Sequence, residues 1–139
     1  MAFDLQRFVD AQEPVLGAVT AELSAGAKRT HWMWFVFPQI AGLGTSAMSQ
    51  RYAIGSLAEA QAYLAHPVLG ERLREWTAIL VAVPGRSAVD ILGPVDALKF
   101  RASMTLFGTA DPAEPVFQAA LDRFYGGEPD PLTLDRLAG

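Results

Sequence analysis

The chain has no cysteine among its 139 residues. That excludes disulfide frameworks, thiolate nucleophiles and Cys-ligated zinc, and it leaves the redox compartment open. Only two histidines occur, His31 and His66, with no His-Glu cluster beside either, so no metal and no cofactor is expected. Charge is scarce: 11 Lys and Arg stand against 15 Asp and Glu, a net charge of -4 with no block of like sign. An acidic domain without a basic run cannot neutralise a row of phosphates, which argues against a nucleic-acid partner. No apolar run approaches the roughly 20 residues of a membrane-spanning helix. The start, Met1-Ala-Phe-Asp-Leu-Gln-Arg-Phe8, mixes acid, base and apolar residues and does not read as a signal peptide. The expectation is a soluble, cytoplasmic protein with no membrane partner.

What is abundant is apolar surface, at 51% of residues, which excludes disorder as the main state. The length fits one domain, residues 1–139, with enough chain for a core of its own. The apolar surplus also fits a homodimer that covers a patch.

Hydrophobic spacing reads as helix throughout. Asp4 can cap a first helix carrying Leu5, Phe8 and Val9 on one stripe, and Pro14 suits the first turn of a second that runs to Gly26. Thr45 or Ser46 can start a short helix through Tyr52. Ser56 and Glu59 have capping-box spacing for a helix to about Ala65. Pro67 opens a longer one, with Leu69, Leu73, Trp76 and Leu80 in phase, that ends at Pro84-Gly85. Ser87 and Asp90 repeat the capping spacing. Pro94 starts a helix up to Gly108, and Asp111-Pro112 caps another that Gly126-Gly127 stops. The tail, residues 128–139, either packs on the body or frays. The fold class is all-α, a single irregular domain of seven to nine short helices, most of them too short for a four-helix bundle.

Residues 28–44 organise the chain. Two of three tryptophans and two of eight phenylalanines fall within 32–37, with Lys28, Arg29 and His31 just before them. Trp and Phe also favour strands, but no convincing partner strand exists, so a short buried helix is expected, capped by Thr30 and ended near Pro38. With Trp34 in the core, Trp34→Ala should cost roughly 3–5 kcal/mol.

The candidate binding residues are Lys28, His31, Trp34, Gln39, Lys99, Arg101 and Ser103. His31 lies at a helix start beside two cations, where an anion would be welcome; equally, its ring could fill the turn. Trp34 could stack on a planar ligand or pack inward. Gln39 could read a ligand or tie down its loop. Asp96, Lys99 and Ser103 share one helix face, with Arg101 on another, and the plain reading of that face is a solvated surface with an ion pair. The site reading has His31, Lys99 and Ser103 in one cleft, a groove between 28–44 and 95–107 for a small anionic or aromatic ligand. The alternatives are an enzyme acting on a nucleotide-like or glycosidic substrate, and a homo-oligomeric interaction protein. The residues do not decide whether the protein is an enzyme.

The stretch His31-Trp-Met-Trp-Phe-Val-Phe-Pro-Gln-Ile-Ala-Gly-Leu-Gly44 resembles the signature of the bacterial domain of unknown function 1810 family. Asp4-Leu-Gln-Arg-Phe-Val-Asp-Ala-Gln12, His66-Pro-Val-Leu-Gly70 and Lys99-Phe-Arg-Ala-Ser-Met-Thr-Leu-Phe107 fit it too, so the resemblance covers nearly the whole chain. Ala102 stands where the family often has a second serine. The resemblance implies an all-helical fold and no activity, hence no catalytic residues. Some members carry a calpastatin-like label, which suits a polar, disordered inhibitor and not this apolar chain. The helix at Lys99-Phe100 also resembles the helical N-glycosidases acting on ADP-ribose and riboflavin-pathway compounds, whose chemistry needs a positioned carboxylate.

Overall fold

The computed structural model describes residues 3–139; Met1 and Ala2, the first residues of the segment read above as no signal peptide, lie outside them. The described residues form α1 (Gln6–Gln12), a 3-10 turn (Glu13–Val15), α2 (Leu16–Ala25), α3 (Met33–Val36), α4 (Ala47–Arg51), α5 (Leu57–Ala65), α6 (Leu69–Val81), α7 (Ala88–Leu92), α8 (Pro94–Ala110), α9 (Pro115–Tyr125) and α10 (Pro131–Ala138). The fold is all-α. Among the described residues the nearest approach to a sheet is a single parallel bridge, Ile40 to Ile54, in which the Ile54 amide donates to the Gln39 carbonyl and the Ala41 amide to the Ile54 carbonyl, each at 2.8 Å.

Local chemistry sets most boundaries. The Ser56 hydroxyl accepts from the Glu59 amide, and Ser87 with Asp90 makes a complete capping box. Ser46 caps α4 through the Ser49 amide. His66 Nδ1 accepts from the Val68 and Leu69 amides and so starts α6. Gly26 and Gly126 end α2 and α9 in the left-handed conformation that glycine adopts at least cost. Three caps differ from expectation. Asp4 makes no cap bond, since α1 begins after Leu5. Thr30 does not cap α3, because its hydroxyl goes to Glu22. Asp111-Pro112 does not open α9, which starts at Pro115 after an extended Glu114; Glu114 pairs instead with Arg74 at 2.7 Å. Gly108 falls inside α8, which runs on to Ala110. The tail is the capped helix α10, with Asp130 accepting from the Thr133 amide.

Residues 32–37 stand at the centre. Trp32, Val36 and Phe37 are wholly buried, Met33 and Phe35 nearly so. Two aromatic chains leave this stretch. Trp32 meets Phe37, whose ring stands edge-on to Phe100 of α8 at 4.9 Å. Phe35 meets Tyr52 at 5.3 Å, and through Phe8 and Tyr63 the contacts reach Phe107. Trp34 is the exception. It is half-buried and packs against the core from its edge, so the core-truncation cost expected of Trp34 belongs to Trp32.

Candidate functional site

The turn before α3 is held by a carboxylate. Glu22, on α2, is buried and accepts from the Arg29 amide at 2.6 Å, the Thr30 amide at 2.9 Å, the Thr30 hydroxyl at 2.7 Å and the Trp32 indole N–H at 3.1 Å. Burial pushes its pKa up, but the Thr30 hydroxyl, the two amides and the indole outweigh it and hold the carboxyl at about 2. The Lys28 amide donates to the Ile91 carbonyl, which sets Lys28 beside the first turn of α8. There Asp96, favoured by the helix dipole, receives two lysines: Lys28 Nζ at 2.9 Å on one oxygen and Lys99 Nζ at 3.7 Å on the other. Each ammonium also lies over a tryptophan, Lys28 at 4.9 Å from the Trp32 ring centre and Lys99 at 5.3 Å from that of Trp34.

The two lysines are not equivalent. The Lys28 side chain is buried, and two of its three N–H donors go to Asp96 and to the Thr30 carbonyl, the latter at 2.6 Å. Lys99 is more exposed, and 3.7 Å is an ion-pair separation too long for a hydrogen bond. Its ammonium keeps donors to offer.

Beside Trp34 the surface opens into a cavity of about 170 Å³. Trp34, Ile40 and Tyr52 give it apolar walls; Gln39, Ser49 and Gln50 give it polar groups; Ala41, Gly42 and Gly44 bring backbone to its edge. The Ile40–Ile54 bridge builds it, by drawing the loop after Pro38 against the segment after α4. Gly44 is needed at close range, since a Cβ there would stand 2.6 Å from Ser49 Oγ. No Lys, Arg, His, Asp or Glu lines the cavity.

Of the residues marked from sequence, Trp34 and Gln39 line the cavity, while Lys28 and Lys99 meet at Asp96 against the tryptophans. The others go elsewhere. His31 is exposed. Ser103 is wholly buried, and its hydroxyl has no partner among the described residues. Neither these two nor Lys99 lines the cavity, so the expected shared cleft of His31, Lys99 and Ser103 is replaced by the Lys28–Asp96–Lys99 junction. Arg101 serves the tail, donating to the Glu128 and Pro129 carbonyls at 3.1 Å each. Ser49, Gln50 and Tyr52 were missed. Their segment has no distinctive composition, and the one signal that places it, isoleucines at 40 and 54 that pair, is a long-range contact.

Among the described residues no three His, Asp or Glu gather as metal ligands, and no helix is long and apolar enough to cross a membrane.

No curated protein matches the chain. A crystal structure of a conserved hypothetical protein from Mycobacterium tuberculosis is similar to it, at 55% identity and a TM-score of 0.97 over 99% of this chain and 98% of that one. The family described as protein of unknown function DUF1810 matches residues 2–137. With its aromatic signature at the centre of an all-helical core and the match spanning all but the ends, this chain belongs to the DUF1810 family.

Proposed function

We propose that the protein binds a small molecule whose flat, uncharged head group enters the cavity between Trp34 and Tyr52. The observation that carries this is the cavity's make-up: two aromatic walls, two side-chain amides and a hydroxyl, with no ionisable carboxylate or cation on its lining. An apolar hole of ~150 Å³ accepts benzene, so this volume suits one ring bearing amide-like edges, a nucleobase or a pyridine carboxamide. Lys99, on the Trp34 ring with donors to spare, would meet an anionic substituent such as a phosphate. The ligand expected from sequence is anionic or aromatic and sits in a groove between 28–44 and 95–107; the proposed ligand combines the two characters, and its head group lies away from 95–107.

What supports binding over hydrolysis is that no carboxylate lines the cavity, while the buried Glu22 and Glu59 are taken by hydrogen bonds and an ion pair and Asp96 by two lysines. A glycosidic reaction needs a carboxylate free to face the substrate. The homo-oligomer reading rests on Val95 and Leu98, one turn apart on α8 and 64% and 67% exposed, and sedimentation would test it.

Titration calorimetry with nicotinamide, adenine and adenosine monophosphate, which needs no tryptophan as reporter, tests the main reading. A saturable change lost in Trp34→Ala, and a tighter phosphorylated ligand whose advantage is lost in Lys99→Ala, are expected. Equal binding to wild type and Trp34→Ala would contradict it.

A further inference from the structure

Three openings in the surface share one loop. The Trp34–Tyr52 cavity takes residues 40–42, and two shallower clefts of about 360 and 440 Å³, both lined by Arg136, take residues from 40–43 as well. Helix α10 therefore lies across the loop that forms the cavity's lip, with open space on both of its flanks.

Its hold on the body is uneven. The start is fastened: Arg101 grips the Glu128 and Pro129 carbonyls, and the Asp130 amide donates to the Thr105 hydroxyl at 2.8 Å. The body packs thinly. Thr133 is its one buried residue and Leu137 is partly buried against the core, while Leu132 and Leu134 are exposed. Near the end the polar tie is Arg136, whose Nη2 donates to the Gly42 carbonyl at 3.1 Å. Gly42 has a φ of +95°, and a Cβ there would stand 2.5 Å from the Arg136 guanidinium carbon. The guanidinium thus fills the place of a side chain on a residue that lines the cavity.

We infer that α10 is a strap on the loop that forms the cavity's lip and that Arg136 is its latch. With the bond made, the 40–44 loop is held against Trp34 and Tyr52; when the C-terminal end of α10 lifts, the lip is released and the cavity opens. One solvent-exposed hydrogen bond on a thinly packed helix is the kind of contact that opens locally while the core stays folded. The inference rests on the reading that this cavity is the ligand site, but its test needs no ligand.

Trp32 and Trp76 are buried, so Trp34 carries the accessible emission. Acrylamide quenching is measured on the full chain, wild type and Arg136→Ala, with Trp34→Phe in both backgrounds as the subtraction. The Trp34 quenching constant should rise about twofold or more in Arg136→Ala, with the helical circular dichroism and the core's amide exchange preserved. Unchanged quenching in a folded variant would overturn the latch. If Arg136→Ala unfolds, wild-type hydrogen exchange decides: amides of 40–44 and 132–138 opening together support the strap, and a loop that opens independently of α10 overturns it. A failure of the ligand titration with increased quenching here would discard the ligand and leave the strap standing.

Discussion

Two regions of one stretch, centred on Trp32 and Trp34 only two positions apart, are built on opposite terms. Around Trp32 the polar groups are paired: Glu22 holds the turn, Lys28 reaches Asp96 and the Thr30 carbonyl, and the indole N–H ends on a carboxylate. Around Trp34 space remains, with a cavity, the Gln39 amide on its lining and a lysine held by a long ion pair, while the Gln50 amide is tied to the Thr45 carbonyl. Two tryptophans of the same sequence motif thus have different work. The paired one fixes the fold; the one beside open space has something left to offer a ligand.

The comparison breaks most visibly at Trp32. Trp32→Ala should cost roughly 3–5 kcal/mol in chemical denaturation, the range for large buried aromatics. A loss near that of a surface change would mean the junction is not the keystone. Glu22→Gln comes next, at about 1.5–3 kcal/mol, because it replaces charge-assisted bonds and turns an amide N–H toward donors. Its pH dependence has a definite sign. The folded carboxyl is held from the ordinary 4.5 down to about 2, so its stabilisation is complete above 4.5 and is lost as pH falls from there toward about 2. The stability gap between wild type and Glu22→Gln, measured by urea midpoints across that window, should therefore shrink on acidification.

The open side should yield less. Trp34→Ala is expected to cost about 1.5–2 kcal/mol, less than a wholly buried aromatic, because part of the ring is exposed. Lys99→Ala should change stability by less than about 1 kcal/mol, as partly exposed ion pairs do, while altering the response to anionic ligands. A Trp34→Ala loss equal to that of Trp32→Ala would erase the distinction between the two sites.

Much of this was legible in the chain and some was not, for physical reasons. Capping pairs such as Ser87 with Asp90 and glycine stops such as Gly26 are local, and a sequence shows them directly. The density of aromatic residues in 32–37 announced the core. Which tryptophan would be buried depended on Glu22, ten residues earlier, whose carboxylate looks in sequence like any other on a helix surface. Arg101, placed on the other face of its helix, stood among the candidates because nothing local shows that the Glu128 and Pro129 carbonyls of the tail claim it. The cavity needed the pairing of Ile40 with Ile54, a contact between segments with no strand pattern to predict it. Ser103 is wholly buried with its hydroxyl unpartnered, and neither sequence nor packing supplies a reason for it.

The most direct measurement is a heteronuclear NMR titration of the full chain with nicotinamide and adenine. The account predicts saturable shifts of the Trp34 indole and of amides in 39–44 and 49–53, with the Trp32 indole and the Glu22-bound amides of Arg29 and Thr30 unmoved. Shifts centred on Trp32 and the Lys28–Asp96 junction, or none at any site up to the solubility of either ligand, would contradict it.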